Sequence, residues 1–334
     1  MNDINFFSKS KYIFLPTKNN PKVALSIDNF SIAKNAFKLY NPFSSKAKLF
    51  KRVVMFFYLY FNLLGNMFAT KKEKSKFVKY LETLLQQPLI VSIYYATIND
   101  KVVLQLQSLD AKVIGYLKYP LNEIGLKHIN NEIEAYALFS SLKIVEPYML
   151  AEFYNDVPFL LLNELDGEIG LVGKNYLNIV LEKLKREDKY KLANHPRILE
   201  MQKVLLEKKM LEYQTKVEKI VANSKEEYKL VYEHGDFTPW NFVKVKENYI
   251  PFDFEYFTKD GLEYFDIIKY YYQVGKLLEG KDANELIEFI ATYVNIEELE
   301  SVLQLFLIKE IIKAKEESEV TEFEEKMLKI LEKR

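Results

Sequence analysis

Cysteine is absent from the 334-residue sequence, tryptophan occurs once and histidine three times. Without thiols there is no disulfide framework, no thiolate zinc site and no cysteine nucleophile, a composition that fits a reducing, cytoplasmic setting. Three histidines, His128, His195 and His234, are too few for a histidine-rich metal centre. Net charge is missing as well: 47 basic and 47 acidic side chains cancel, so no overall field draws the chain to nucleic acid. Neither a Gly-x-Ser-x-Gly elbow nor a His-Glu-x-x-His helix occurs. The opening residues, MNDINFFSKSKYIF, place an acid ahead of the first apolar side chains and lack a small-residue cleavage site, so they do not read as a secretory signal.

What is present is largely apolar. Hydrophobic residues make up 49% of the chain and aromatics 15%, which excludes disorder as the main state. At roughly 100 to 200 residues per domain the length predicts two domains or lobes. The charges cancel globally but not locally: between Lys46 and Lys79 nine basic residues face one acid, Glu73, and from Glu279 onward 15 acids face 8 bases. The basic segment brackets an uncharged run of 18 residues, Val53 to Thr70, just long enough to be weighed as a transmembrane helix. Asn62, Gly65 and Asn66 near its middle argue against a span. A buried helix of a soluble protein is the leading reading. An interfacial helix giving peripheral membrane contact through 46–79, its lysines on anionic lipid, is the alternative.

No internal repeat or low-complexity tract interrupts the chain. Residues 1–85 read as an α/β extension, with strands near Tyr12–Pro16 and Val23–Ile27 and helices near Ser31–Leu39, Ala47–Phe68 and Lys71–Gln86. The apolar period then shifts from 3.6 toward 2, predicting strands at Leu89–Ile98, Val102–Gln107 and Lys112–Tyr119, with Asn99-Asp100 as a hairpin turn. A helix at Asn130–Leu142 and strands at Tyr148–Tyr154 and Pro158–Asn163 complete a small antiparallel lobe, 86–166. Residues 167–334 are mostly helical, with long amphipathic stretches at Tyr176–Arg186, Ile198–Ala222 and Ala283–Leu331, interrupted by a β-rich patch, Leu230–Phe257.

That patch, VYEHGDFTPWNFVKVKENYIPFDFEYF, carries the chemistry. A strand ending at Glu233 delivers Asp236 on a short loop that Pro239 stiffens by fixing its own φ. Asn241 opens a second strand, which turns at Glu247-Asn248 and returns to bring Asp253 beside Asn241. One amide and one carboxylate oxygen converging in this way suit Mg²⁺, which takes one or two carboxylates plus substrate phosphates. Asp236, five residues before Asn241, is left to face a nucleophile. Taken singly, an Asp at a strand end is a cap or turn residue and an Asn before a strand is a turn; the joint spacing is what points to catalysis.

The pattern His-Gly-Asp-x-x-x-x-Asn, followed by Asp253-Phe254-Glu255, resembles the aminoglycoside phosphotransferase and choline kinase group, which shares the protein-kinase fold. The resemblance spans roughly residues 86 to 275 and is concentrated in 232–266. It implies a bilobal α+β kinase-like fold, an ATP- and Mg²⁺-dependent transfer of phosphate, Asp236 as catalytic base, Asn241 and Asp253 as metal ligands, and His234 as loop support. Asp266 matches the group's later structural aspartate. A packed His234 that orients the loop is favoured over one that transfers protons, and Trp240 packs or borders the acceptor site.

Such a fold needs a third-strand lysine on the phosphate oxygens and a helix carboxylate to hold it. Lys118, near the end of the third strand of this lobe, is favoured over Lys112 at its start. On the next helix Ile129, Ile133, Tyr136 and Ala137 form the apolar stripe; Glu132 borders it while Glu134 points away, so Glu132 is the expected partner. Both charges standing free on the surface is the competing possibility. The stretch from Leu160 to Gly167 reads as the interlobe hinge, with backbone groups near Glu164 and Leu165 on adenine.

One departure from protein kinases stands out. The position of their glycine-rich loop reads Ala96 to Lys101 with no glycine, which leaves the phosphate contacts to Thr97 or backbone amides. A second phosphate loop, Gly167 to Asn175, departs from the Walker pattern in spacing and in Asn175, and is set aside. The expected function is phosphate transfer to a hydroxyl of a small molecule or glycan, with cell-surface polysaccharide assembly as the setting that the wording His-Gly-Asp-Phe-Thr-Pro-Trp-Asn favours within the group. A catalytically silent nucleotide- or partner-binding protein and an antibiotic-modifying kinase are the alternatives.

Overall fold

The computed structural model describes residues 4–39, 45–60, 69–95 and 100–334. It divides into two compact units, 1–133 with 147–165, and 134–146 with 166–334. The class is α+β: the first unit is built on a large antiparallel sheet and the second is mostly helical.

Among the described residues the sheet of the first unit has eight strands: β1 (Ser10–Pro16), β2 (Pro21–Ser26), β3 (Thr70–Lys72), β4 (Ile90–Tyr95), β5 (Lys101–Gln107), β6 (Val113–Pro120), β7 (Leu150–Tyr154) and β8 (Val157–Asn163). Their order is β3-β1-β2-β4-β5-β6-β8-β7. Residues 1–85 therefore add three strands to the sheet that the following residues build, with Val23 opposite Tyr94 and Ala24 opposite Ile93. The physical cause is burial on both faces, since β2 reads as an uninterrupted buried run, Val23 to Ser26. On one face Ile13, Leu15, Val23 and Leu25 meet Ala36 of α1 (Phe30–Ala36), neighbouring Phe37, and Val54, Met55 and Tyr58 of α2 (Ser45–Tyr60). On the other, Tyr12 and Ala24 join Phe77, Val78 and Leu81 of α3 (Lys76–Leu85) and the apolar residues of β4, β5, β6 and β8. The Tyr12 hydroxyl donates to the Val91 carbonyl at 2.7 Å, tying β1 to β4.

Two local readings change. Lys71 and Lys72, expected at the start of a helix, instead join Thr70 in an edge strand paired with β1, and the helix begins only after Ser75, whose side chain caps the Val78 N–H. The helix expected over 47–68 is seen as α2 up to Tyr60; its remainder, with Asn62, Gly65 and Asn66, and the turn region 96–99 with Thr97, lie outside the described residues. Among the described residues no helix is long and apolar enough to cross a membrane.

The boundary between the units falls within α4 (Glu123–Ser141) and again after Leu165. The second unit contains α5 (Lys174–Leu184), α6 (Pro196–Glu207), α7 (Leu211–Asn223), α8 (Phe265–Gln273), α9 (Ala283–Tyr293), α10 (Leu299–Glu316) and α11 (Glu322–Leu331). The long helix expected over 198–222 is two, α6 and α7, because Lys209 between them takes a left-handed φ of 56°. Two three-stranded sheets carry the loops of interest. One orders β10 (Lys185–Lys191), β11 (Glu227–Glu233) and β14 (Thr258–Leu262) side by side; the other orders β13 (Asn248–Pro251), β12 (Phe242–Val245) and β9 (Glu168–Ile169).

Candidate active site

In the second unit the loop from β11 to β12 is fixed from three sides. Asp266, buried on the first turn of α8, accepts the backbone N–H of His234 on one carboxylate oxygen (2.8 Å) and that of Gly235 on the other (3.0 Å). Burial, with Glu233 close by, pushes the Asp266 carboxyl well above the usual carboxylate range. Gly235 adopts a φ of 80°, and a Cβ there would overlap the Tyr256 carbonyl oxygen, so this corner demands glycine.

His234 supports the loop from within. Its Nε2 lies 3.1 Å from the Phe252 carbonyl and its Nδ1 accepts the Asp236 N–H at 3.3 Å, which assigns the proton to Nε2. Burial holds the imidazole pKa down against the pull of Asp236 and Asp253, so the ring stays neutral, packed on Phe254 with centroids 4.7 Å apart. Proton transfer is a poor use for a buried ring with both nitrogens engaged.

Asn241 closes the loop. It ends a single 3₁₀ turn, Pro239–Asn241, that also holds half-buried Trp240. Its side-chain Nδ2 donates to the Asp236 carbonyl and to Asp236 Oδ2, both at 2.9 Å. With Nδ2 committed, Oδ1 is the atom left to ligate a cation. The β12–β13 hairpin pairs Phe242 with Pro251, and the Phe252 N–H donates to the Asn241 carbonyl at 3.0 Å, placing Asp253 one residue beyond Asn241's partner. Asp253 turns with a φ of 67°, and its carboxylate and that of Glu255 offer oxygens within 4.8 Å of each other. Asn241, Asp253 and Glu255 are hard oxygen donors, a set that fits Mg²⁺ and not a softer metal. Beneath the loop Phe237 packs edge-on against Phe242, centroids 4.8 Å apart.

Asp236 itself is 21% exposed at its side chain. Its Oδ1 lies 3.5 Å from Nζ of Lys269, a buried lysine of α8 that in turn touches Glu310 of α10 at 2.5 Å. Burial works against the Lys269 ammonium, but Glu310 and Asp236 outweigh it and raise its pKa above the ordinary value.

In the first unit Lys118 sits in the middle of the sheet, opposite Val103 on β5 and Leu160 on β8. Its Nζ reaches Glu132 Oε1 at 2.8 Å and Oε2 at 2.6 Å, with both side chains buried, and Lys101 approaches Glu132 at 3.8 Å. Lys112 is exposed ahead of β6, and Glu134 is ion-paired with Lys259. Glu164 and Leu165 follow β8 and end the unit, with Glu164 3.6 Å from Lys38. The Gly167–Asn175 stretch forms β9, the approach to α5 and its first residues; a Cβ at Gly167 would overlap the Lys244 carbonyl oxygen, whereas one at Gly170 or Gly173 would meet open space.

Glu255, Lys269 and Glu310 are the residues of this region that sequence reading did not assign a role. Glu255 was within reach as the second acid of Asp253-Phe254-Glu255. Lys269 stands three residues after Asp266 on a helix buried from Phe265 to Tyr272, where a lysine requires a partner.

No family model and no curated protein matches the chain. Among solved structures it is similar to choline kinase LicA from Streptococcus pneumoniae, at 13% identity and TM-score 0.49, over 77% of this chain and 97% of that one. It is similar to a Plasmodium vivax ethanolamine kinase, at 12% identity and TM-score 0.43, over 91% and 94%. A third is a streptomycin–ATP ternary complex of APH(2")-IIa, at 15% identity and TM-score 0.44, over 78% and 96%.

Proposed function

We propose that the protein is an ATP- and Mg²⁺-dependent phosphotransferase acting on a hydroxyl of a small molecule or glycan. The observation that carries this reading is Asn241 Nδ2 bridging the carbonyl and the carboxylate of Asp236, in a loop pinned by Asp266. Phosphoryl transfer asks little covalent work of a protein and much alignment, and this loop is built for alignment. Asp236 orients the acceptor hydroxyl and takes its proton as the oxygen bonds to the γ-phosphorus and the bridging oxygen leaves with ADP. Asn241 Oδ1, Asp253 and Glu255 are the groups that would hold Mg²⁺. The cation, when bound, neutralises charge on the phosphate oxygens. In the first unit Lys118, oriented by Glu132, is assigned to nucleotide phosphates, and the backbone at Glu164 and Leu165 to adenine.

Replacing Asp236 by Ala is the direct test. Mg²⁺-dependent ADP release in an acceptor screen should disappear while the MgATP-induced rise in melting temperature persists; undiminished release would sink the assignment. A catalytically silent nucleotide binder would show the melting shift in the wild type but no ADP release with any acceptor.

A cytoplasmic enzyme resting on a membrane surface is the setting we infer, and glycan phosphorylation for cell-surface polysaccharide is the acceptor chemistry it favours. The support is α2, where Leu49, Phe50, Val53, Phe56, Phe57 and Tyr60 are 41–66% exposed on the face opposite Val54, Met55 and Tyr58. No acid occurs between Asp28 and Glu73, so the surroundings complement anionic lipid. Co-sedimentation with phosphatidylserine vesicles, lost in Phe56→Glu/Phe57→Glu, tests it; equal pelleting of both proteins removes this contact.

A further inference from the structure

Six charged groups of the second unit form one series of alternating sign. Arg197 Nε lies 3.5 Å from Glu233 Oε2, Glu233 Oε1 is 2.8 Å from Lys309, Lys309 is 3.6 Å from Glu310, Glu310 is 2.5 Å from Lys269, and Lys269 is 3.5 Å from Asp236. Asp236 is the most exposed of the six, at 21% of its side chain, against 17% for Arg197, 11% for Lys309, 10% for Glu310, 4% for Lys269 and 0% for Glu233. At its other end Arg197 also meets Glu200 at 2.7 Å, a carboxylate 57% exposed, so the series runs through protein interior and surfaces at both ends, one of them the proposed base.

We propose that Lys269, tethered by Glu310, is a positioning residue that sets the orientation of the Asp236 carboxylate for phosphate transfer. This role rests on the phosphotransferase reading above. Asn241 Nδ2 holds Oδ2 at 2.9 Å, and Lys269 of a different element faces Oδ1 at 3.5 Å, so each carboxylate oxygen has a partner. An ammonium on a four-carbon stem has no fixed direction of its own. Glu310, on α10, gives it one.

Stability alone is a weak reason for the arrangement. A buried ion pair can commonly be replaced by apolar side chains of similar volume without loss, because desolvation offsets most of its attraction. Of two adjacent positions of α10, Lys309 holds Glu233, the residue just before His234, directly, and Glu310 reaches Asp236 only through Lys269. Of the three acids gathered by Lys309 and Lys269, Asp236 is the most exposed, at 21% against 10% for Glu310 and 0% for Glu233.

The test uses the full chain, ATP and Mg²⁺, with water as acceptor and ADP release as readout. Lys269→Met should lower kcat at least ~10-fold while KM for ATP stays within about twofold and the MgATP-induced melting shift is retained. If Lys269→Met does not fold, Lys269→Met/Glu310→Gln, which leaves neither charge of the pair, carries the same comparison. Wild-type kcat in the folded variant, with Asp236→Ala inactive, overturns the positioning role and leaves the phosphotransferase reading intact. Equal ADP release from wild type and Asp236→Ala overturns that reading, and this role with it.

Discussion

Asn241 holds Asp236 twice with one nitrogen, at the main-chain carbonyl and at the carboxylate, each at 2.9 Å. The loop conformation and the direction of the carboxylate are thereby a single variable. Asn241→Ala removes both bonds and the proposed cation ligand, and phosphate transfer should fall about 10²-fold, the scale expected when a reacting group is misplaced by an ångström. Asn241→Asp loses the donor but keeps an oxygen ligand, so raising Mg²⁺ should recover part of its rate and none of that of Asn241→Ala. A Mg²⁺ titration of ADP release checks this, and parallel curves for the two variants would count against Asn241 as a ligand.

Asp266 satisfies two buried backbone N–H groups that have no route to water. Leaving a buried donor unmet costs ~1–3 kcal/mol, so Asp266→Ala should lose roughly 2–6 kcal/mol of unfolding free energy. Asp266→Asn keeps one acceptor oxygen and should fall between. Urea unfolding of the three proteins decides the order.

Gly235 combines a φ of 80° with backbone contact on its Cβ side, whereas a Cβ at Gly170 meets open space. Gly235→Ala should cost about 3 kcal/mol or more through strain and displacement of Tyr256, and Gly170→Ala less than about 0.5 kcal/mol. Equal melting temperatures for the two variants would show that the corner relaxes freely.

Much of this was legible in the sequence because it rests on short-range pattern. Lys118 was reached through the resemblance, which asks for a third-strand lysine, and Glu132 through the helix stripe that it borders, although Ala135 and Phe139 are buried there and Ala137 is exposed. The hairpin after Asn241 follows from its turn residues, Glu247-Asn248 in the expected turn and Asn248 in the observed β13. What escaped reading depends on partners distant in the chain. Lys185–Lys191, KREDKYK, has no apolar alternation, and it is a strand only because β11 offers it an edge. Lys269 and Glu310 are 41 residues apart and look, one by one, like ordinary helix-surface charges. Only burial makes them a pair.

Glu310 predicts a pH dependence. Burial alone would raise its pKa, but Lys269, Lys309 and Lys313 together bring it down to about 2 from the ordinary 4.5. A depressed carboxyl contributes stability that is complete above the unfolded pKa and is lost as pH falls from about 4.5 toward 2. The difference in unfolding free energy between wild type and Glu310→Gln should therefore be largest above pH 5 and shrink on acidification. A difference independent of pH from 6 to 3 would mean that the pairing does not stabilise the ionised form.

Glu132 faces two ammoniums, Lys118 at 2.6 Å and Lys101 at 3.8 Å, so the two ends of this ion pair are not equivalent. Glu132→Gln removes the carboxylate that both lysines approach, while Lys118→Met leaves Lys101 on Glu132. Breaking a buried pair from one side costs about 3–5 kcal/mol, and the full amount is expected for Glu132→Gln, with roughly half for Lys118→Met. The double variant should recover part of the loss, since neither member is then left opposite a missing partner. Nucleotide binding separates function from folding in the same set: measured against its own lowered apo melting temperature, Lys118→Met should lose most of the MgATP-induced melting shift. A Lys118→Met protein with an undiminished shift would exclude Lys118 from the phosphate contacts and leave it a structural partner of Glu132.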